Sequence, residues 1–294
     1  MNVRLKSVEK YYGKFRALGA INLEINDPGI ITILGPNGAG KTTMLKVMTG
    51  LSKPRKGIVE IDGNNIFEDR KKVLMKMGTL VEQPEFYTYI KGREILSFSA
   101  SLKGISGEEM KAEIERVVAA TGSNDFLDKK VGKYSRGMKQ RLGIATALIG
   151  DPEILILDEP TFGIDPMGSL EIRELIKNLN SRKEKIIIFT THVIEEAIKL
   201  SDRIIILNNG LIEYDASNGG EYTLLKISGE IGDIPPGYKY TRISENEYIF
   251  EVREEEIPEF NRKITKAGNI KYIEKSSMVE ETIRKISVKN LKNS

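Results

Sequence analysis

One stretch of this chain, PGIITILGPNGAGKTTMLKVMTG, restricts the possible fold more than any other. Ile30–Leu34 is a short apolar run with β-branched residues, which predicts a buried parallel strand. A glycine-rich loop follows, and Thr42–Met48 has helical character. The loop fits the pattern G-x-x-x-x-G-K-[ST], in which glycines let backbone N–H groups surround an anion where the helix starts. The sequence therefore predicts a strand–loop–helix unit that binds phosphate, a P-loop.

The residue types in this loop suit a nucleotide and its magnesium ion. Lys41 is placed to reach the β- and γ-phosphates, and the hydroxyl of Thr42 can bind Mg²⁺. An ordinary glycine-rich turn is the alternative, but the preceding strand and following helix argue against it. The predicted nucleotide contacts in the loop are Gly35, Pro36, Asn37, Gly38, Ala39, Gly40, Lys41, Thr42 and Thr43.

Two carboxylates and a histidine follow other predicted strands. ILILDEP places Asp158 and Glu159 at the end of a buried strand, where P-loop enzymes use an Asp to hold Mg²⁺. Glu159 is then placed to orient or deprotonate water. A charged strand end is common in any protein, but the P-loop upstream favours the catalytic interpretation. His192, the only histidine among 294 residues, lies just past the strand predicted at Lys185–Thr190.

Strands alternating with helices predict an α/β core with a mainly parallel sheet. Gly92–Leu148 is predicted mostly helical, with breaks at Gly104, Gly107, Gly122 and Gly132. The run DASNGGE predicts a boundary, so we expect domains at 1–215 and 216–294. The second domain is expected to be a small α+β unit of roughly ferredoxin-like character. Its predicted strands are Tyr222–Ser228, Tyr238–Ile243, Tyr248–Val252 and Ile270–Glu274, and its predicted helices are Ile257–Lys266 and Val279–Ile286.

Composition excludes several classes of function. Lys plus Arg is 45 and Asp plus Glu is 42, so the net charge of +3 predicts no pull toward nucleic acid. With no cysteine, disulfides and thiolate metal sites are excluded. No apolar run approaches the roughly 20 residues of a membrane helix, and the N-terminus lacks a signal-peptide core. We therefore expect that the chain does not span a bilayer by itself.

The segment YSRGMKQRLGIA narrows the P-loop class. It resembles the signature L-S-G-G-Q of ATP-binding cassette (ABC) ATPases, with Tyr134, Ser135, Arg136, Gly137 and Met138 in the five places. LDEPTFGIDP is similar to the Walker B motif and D-loop of that family, and His192 falls at its switch histidine. Tyr12 matches the aromatic residue that stacks on adenine. The resemblance extends over roughly residues 1–215.

This resemblance implies an ABC-type α/β core with an antiparallel β subdomain, a helical signature subdomain and ATP with Mg²⁺ as ligands. It also implies that two ATPase subunits, identical or different, pair head to tail around ATP. Ser135, Gly137 and Met138 then bind the γ-phosphate held by the other subunit, and Asp165 lies at that interface. The family's switch histidine meets the γ-phosphate and the attacking water, so His192 is expected to accept from water and donate to phosphate, or to help hold Glu159.

The chain departs from the family pattern at two signature positions. Arg136 replaces the first glycine, so its side chain must point away from the nucleotide or contact it in a new way. Met138 replaces the usual glutamine. The form S-x-G-M-K-Q-R resembles the ATPases of drug, bacteriocin and antibiotic exporters.

The glutamine of the family's Q-loop, a Mg²⁺ ligand, has two candidates in VEQPEFY. Gln83 is the candidate by residue type. Aligning Pro84 and Tyr87 with Q-E-P-x-L-Y instead places Glu82 there, as in related bacitracin and lantibiotic exporters. Glu82 is favoured, and a role for Gln83 stays open.

The resemblance implies a subunit that energises a membrane transporter, of exporter type, from the cytoplasmic face of the membrane. Its partner is a separate multi-span permease, which we expect to dock near Gln83–Phe98 on Phe86, Tyr87, Tyr89 and Ile90, unless these side chains are simply core. The alternative is a soluble ABC-type mechanical ATPase acting on ribosomes or DNA, and an unrelated P-loop kinase is disfavoured by the signature. The sequence does not encode the transported substrate.

Overall fold

The computed structural model describes residues 1–217 and 222–276, together with 279, 282 and 283. The chain divides into two compact units, Met1–Asp215 and Ala216–Ser294. The strands of the first unit, the last of which runs past its boundary, are β1 Val3–Tyr12, β2 Phe15–Ile25, β3 Gly29–Leu34, β4 Lys56–Ile61, β5 Asn64–Asn65, β6 Met77–Leu80, β7 Ile154–Leu157, β8 Ile186–Thr191, β9 Arg203–Asn208 and β10 Leu211–Ser217. Its α-helices are α1 Lys41–Met48, α2 Arg70–Met75, α3 Gly92–Leu102, α4 Gly107–Thr121, α5 Arg136–Leu148, α6 Pro166–Leu179 and α7 Ile194–Leu200.

A six-stranded sheet forms the centre of the first unit, in the order β10-β9-β3-β8-β7-β6. β3 pairs in parallel with β8 and β9, and β7 pairs in parallel with β6 and β8. Every residue of β3, β7 and β8 is buried, as expected for isoleucine-rich strands covered on both faces. The predicted α/β core with a mainly parallel sheet is confirmed.

A second, four-stranded sheet has the order β2-β1-β4-β5, and its pairs are antiparallel. The β4–β5 turn is Asp62-Gly63, whose φ angles of 48° and 72° are those that Asp and Gly tolerate best in a tight hairpin. Val3 and Leu5 of β1 share one buried cluster with Met44 and Leu45 of α1. This antiparallel sheet therefore supports the helix that follows the P-loop.

The predicted helical region is built from α3, α4 and α5, which share a second buried cluster with β7 and β8. The four glycines predicted as breaks all lie at helix boundaries. Gly104 separates α3 from α4, Gly107 begins α4, and Gly122 ends α4 with a φ of 61°. Gly132 lies in a short 3-10 turn, Val131–Lys133, just before α5.

Sequence reasoning missed β6, because Met77–Leu80 contains a glycine and shows no alternation. This glycine, Gly78, determines how closely β6 can pack. A Cβ at Gly78 would overlap the carbonyl oxygen of Ala147 in α5, so β6 can lie directly against that helix only without a side chain there. β6 then pairs in parallel with β7, so the segment that follows it starts at the carboxyl end of the sheet, as does the segment after β7.

The second unit contains β11 Tyr222–Ile231, β12 Lys239–Ser244, β13 Glu247–Arg253, α8 Ile257–Ala267 and β14 Gly268–Ser276. Its antiparallel sheet has the order β12-β13-β11-β14, and Phe260 of α8 packs on Phe250 of β13 with ring centroids 5.0 Å apart. The α+β prediction is confirmed. A ferredoxin-like pattern needs a second helix, and the predicted helix Val279–Ile286 lies largely outside the described residues. Among the described helices, none is long and apolar enough to cross a membrane.

We expect Gly78→Ala to lower the free energy of unfolding by about 1–3 kcal/mol, the usual cost of overfilling a packed interior. The added methyl group must push β6 away from α5. Urea unfolding of the full chain measures the change, with Thr79→Ala on the same strand as the control. Equal effects of the two substitutions would contradict the close-packing argument.

Candidate functional site

The P-loop leaves the sheet at the end of β3 and leads directly into α1. A Cβ at Gly35 would overlap the carbonyl oxygen of Leu207, and one at Gly40 would lie 2.7 Å from the carbonyl oxygen of Ala17. Gly40 has a φ of 105° and Gly38 a φ of 81°, which only glycine adopts readily. The backbone of the loop can therefore approach a ligand closely.

Lys41 is 95% buried at the start of α1. Its Nζ donates to the carbonyl oxygens of Gly35, at 2.9 Å, and Pro36, at 3.1 Å. The same Nζ lies 3.2 Å from Oε1 of Glu159. The ammonium group is thus held across the loop, where the positive charge and the start of α1 favour an anion.

A cleft of about 300 Å³ opens in front of the P-loop. Tyr12 lines one side, and Glu159 lines it as well, so the structure brings these predicted residues together with the loop. Gly35, Pro36 and Ala39 lie outside the lining, whereas the following predicted loop residues form part of it: Asn37, Gly38, Gly40, Lys41, Thr42 and Thr43.

Phe15 is a second aromatic residue of this cleft, and sequence reasoning missed it. It pairs with Tyr12 across the β1–β2 hairpin and is 65% exposed. The signal was present in the sequence, as an aromatic residue three positions after Tyr12 at a Gly13 turn. Two exposed rings on one hairpin offer flat apolar surface on which a base can stack.

Asp158 and Glu159 lie at the end of β7, as predicted. Asp158 is buried, and its Oδ1 accepts a hydrogen bond of 2.6 Å from the hydroxyl of Thr190. That hydroxyl accepts in turn from the backbone N–H of Glu159 at 2.8 Å. Thr190, the penultimate residue of β8, was missed by sequence reasoning. It fixes both carboxylate residues, and Glu159 itself has the uncommon φ of 41°.

The carboxylate of Glu159 lies between two cationic or potentially cationic groups. Its Oε1 faces Lys41, and its Oε2 is 3.3 Å from Nδ1 of His192. The histidine ring also packs edge-on against Phe162, with centroids 5.8 Å apart. The structure therefore joins the P-loop, the end of β7 and the single histidine in one site.

The predicted signature residues form a separate group. Ser135 caps α5, and its Oγ accepts from the backbone N–H of Met138 at 3.2 Å. Ser135 is exposed and Gly137 and Met138 are half-buried, but none of them lines the cleft in front of Lys41. Asp165 caps α6 in the same way, accepting from the N–H of Gly168 at 2.9 Å.

Arg136 is not part of the P-loop cleft lining and contacts two residues of its own subunit. Its Nη2 donates to Oε1 of Gln83 at 2.8 Å, and its guanidinium lies over the ring of Phe162, 5.4 Å from the centroid. At Gly137, the next signature position, an added Cβ would make only an ordinary contact with the side chain of Ile164, at 3.6 Å.

The side chains of Glu82 and Gln83 contact different helices. Oε1 of Glu82 is 2.6 Å from Nζ of Lys46 on α1, and this contact holds the pKa of Lys46 above its ordinary value. Gln83 instead binds Arg136 of α5. Of the two candidates for the Q-loop position, Glu82 is therefore the one in contact with the P-loop helix.

The donor set fits a metal ion that shares its ligands with phosphate. Among the residues described by the structure, no three His, Asp or Glu side chains group closely enough to hold a metal ion. Thr42 lines the cleft, and Asp158 directly precedes Glu159, which also lines it; both carry oxygen atoms, and Mg²⁺ commonly takes its other ligands from phosphates and water.

Comparison with known proteins gives a consistent family. The family model described as ABC transporter matches residues 18–162. The Bacillus subtilis ABC transporter ATP-binding protein YdbJ is 36% identical over 273 residues, which cover 89% of this chain and 87% of YdbJ. The bacitracin transport ATP-binding protein BcrA of Bacillus licheniformis is 40% identical over 208 residues, covering 71% of this chain and 67% of BcrA. The lantibiotic transport ATP-binding protein SrtF of Streptococcus pyogenes is 34% identical over 226 residues, which cover 74% of this chain and 94% of SrtF.

Solved structures agree with these relatives. A dimeric bacterial ABC transporter cassette matches with a TM-score of 0.67 at 30% identity, over 73% of this chain and 98% of that one. A dimeric ATP-binding cassette bound to ADP and phosphate matches with a TM-score of 0.66, again over 73% of this chain and 98% of that one. From the site, the relatives and the shared architecture, we conclude that this chain belongs to the ABC transporter ATP-binding proteins and is an ATPase.

Proposed function

We propose that this ATPase powers a membrane exporter through ATP-driven pairing of two copies, or of this chain with a similar one. The observation that carries the proposal is the separation of its site residues. Lys41 and Glu159 line the P-loop cleft and Glu159 also contacts His192, whereas Ser135, at the start of α5, is not part of the cleft lining. A complete site then needs the α5 N-terminus of another subunit.

The residues of one copy have distinct roles in hydrolysis. The glycine-rich backbone and Lys41 bind the β- and γ-phosphates, and Tyr12 with Phe15 receives the adenine. Glu159 accepts the proton of the attacking water, and His192 holds that carboxylate in place through Nδ1. Asp158 and Thr42 would hold Mg²⁺, which would neutralise phosphate charge. Thr190 keeps Asp158 and Glu159 aligned.

Lys41 also links nucleotide binding to the state of Glu159. An ammonium group has three N–H bonds. Two of them serve Gly35 and Pro36, and the third faces Glu159. A phosphate group in the loop competes for that third bond, so substrate binding loosens the hold on the carboxylate.

The second copy supplies the remaining contacts. The exposed Ser135 hydroxyl and the first N–H groups of α5 form an anion site of the kind found at helix starts. We place the γ-phosphate of the other subunit there, with Gly137 and Met138 beside it. Asp165 caps α6, and the side chain of its neighbour Ile164 lies beside Gly137, so we place Asp165 at the subunit interface as well.

A separate multi-span permease is the proposed membrane partner, reached from the cytoplasmic face. Tyr87 and Tyr89 are 70% and 67% exposed, which supports a docking role. Phe86 and Ile90 instead pack against the buried cluster of the helical region, so the simpler interpretation as core fits those two. The proposed docking surface is therefore Tyr87 and Tyr89, together with exposed Phe98.

Export, as opposed to action on ribosomes or DNA, is supported by the relatives named for bacitracin and lantibiotic transport. Lys plus Arg nearly balances Asp plus Glu, which gives no reason to expect a nucleic-acid partner. The test is ATP-dependent transport by this chain reconstituted with a candidate permease. Hydrolysis that the permease leaves unchanged would argue against the proposal.

We expect Glu159→Gln to lower ATP turnover by about 10²-fold or more, the scale of a lost general base. ATP binding should be retained, and the variant should accumulate as an ATP-bound pair on a sizing column. Lys41→Ala is the matched control, since it should weaken ATP binding itself. Normal turnover in Glu159→Gln would refute the role given to this carboxylate.

Ser135→Ala should lower ATP turnover by about 10-fold or more, which corresponds to a loss of at least about 1.4 kcal/mol of transition-state stabilisation. ATP affinity of the isolated monomer should stay unchanged, because the phosphate that Ser135 contacts lies on the other subunit. Equilibrium nucleotide binding at low protein concentration measures this. Ser106→Ala, at the start of α4, is the control, and a collapse of monomeric binding in Ser135→Ala would show that Ser135 acts in its own subunit.

Glu82→Ala should reduce ATP hydrolysis in the assembled transporter more than Gln83→Ala does, with ATP affinity little changed in both. The reason is the contact of Glu82 with Lys46 of the P-loop helix, which supports a role for this carboxylate, a hard oxygen ligand suited to Mg²⁺. Glu82→Gln tests whether an amide can replace the carboxylate. A larger loss from Gln83→Ala would assign the Q-loop position to Gln83.

A further inference from the structure

Arg136 connects three segments that are far apart in the sequence. It is the first residue of α5, its Nη2 binds Oε1 of Gln83 in the segment after β6, and its guanidinium lies over Phe162 in the loop after β7. Gly163 leaves the space for this contact, because a Cβ there would overlap the guanidinium. A glycine at position 136 could make none of these side-chain contacts.

Phe162 extends the connection to the site of hydrolysis. Its ring packs edge-on against His192, with centroids 5.8 Å apart, and His192 lies 3.3 Å from Glu159. Phe162, His192 and Glu159 also line one pocket of about 200 Å³. The side chains of Phe162 and His192 therefore link Arg136 to Glu159, the carboxylate that we propose acts on the attacking water.

We propose that Arg136 is a positioning residue that couples the signature helix of one subunit to its own hydrolytic site. When the α5 N-terminus seats on the ATP of the second subunit, Arg136 carries that displacement to Phe162, and so to His192 and Glu159. The contact with Gln83 passes the same displacement to the segment that leads to the docking tyrosines. This inference rests on the proposed head-to-tail pairing.

The chemistry of the contacts requires arginine specifically. A guanidinium is planar, so it can stack on a ring with its face and donate hydrogen bonds from its edge at the same time. A lysine ammonium can do only one of these well. Because Arg136, Gln83 and Phe162 are all exposed, the contacts contribute little to stability, and variants should fold.

The experiment compares full-length Arg136→Met, Arg136→Lys, Phe162→Leu and the double variant Arg136→Met/Phe162→Leu. Each single variant should lower kcat by about 5- to 30-fold, the effect of a lost coupling contact, with monomeric ATP affinity and Tm unchanged. Phe162→Tyr should restore activity, and Arg136→Lys should not. The double variant should lose no more than the more affected single variant, because both act through one contact. Lys133→Met, which removes a neighbouring positive charge, is the control.

Three outcomes would overturn the inference. They are an unchanged kcat in Arg136→Met, multiplied losses in the double variant, and an effect of Lys133→Met equal to that of Arg136→Met. A further measurement separates coupling from direct phosphate contact. In the Glu159→Gln background, Arg136→Met should still pair in ATP, and loss of pairing would mean that Arg136 binds the other subunit's nucleotide. If Glu159→Gln alone fails to pair, the proposed function is wrong, independently of Arg136.

Discussion

Backbone-to-backbone packing around the P-loop determines where the groups of the candidate site lie. The turn after β9 locks the loop in place, since the N–H of Gly210 donates to the carbonyl of Ala39 and its own carbonyl accepts from the N–H of Gly19, both at 2.9 Å. Gly35 and Gly40 then approach neighbouring carbonyl oxygens too closely for any Cβ. The loop is thus held between β2 and β9 by main-chain contacts, and these leave its remaining surface free for phosphate.

The same packing fixes the geometry of the carboxylates. β3, β7 and β8 are neighbours in the order β3-β8-β7, so their carboxyl ends deliver Lys41, Asp158 and His192 to one edge of the sheet. Because these strands are buried on both faces, a one-residue shift in register would force the close-packed side chains on both faces of the sheet to repack. The isoleucine-rich core therefore specifies the site as strongly as the polar residues do.

Local sequence patterns made most of the fold and of the candidate site predictable. A compact apolar run, a glycine-rich loop and a helical segment are contiguous, so the P-loop could be identified directly. Asp158, Glu159 and His192 follow apolar strands, and parallel strands bring their ends together. Helix boundaries in the signature region followed glycine positions, and the α+β character of the second unit followed from its alternating runs.

Contacts between distant residues were not predictable in this way. Thr190 holds Asp158 across 32 positions, Lys46 holds Glu82 across 36, and Arg136 holds Gln83 across 53. Each joins ordinary polar residues whose spacing follows no helical or strand period. β6 was missed for a related reason, since its position depends on Gly78 fitting against α5. The resemblance to a family supplied the roles of the motifs, but not the partners of the residues that depart from it.

The departures from the family pattern are explained by their neighbours. If Glu82 occupies the Q-loop position, as we propose, it adds a negative charge where phosphates bind, which is unfavourable by itself. Lys46, one turn beyond Thr42 in α1, offsets that charge through its contact with Glu82. Arg136 adds a positive charge at the signature, and its side chain is directed to Gln83 and Phe162 instead of the helix start. Both contacts lie within the subunit, so the arginine side chain does not itself cover the helix start that we propose for the second subunit.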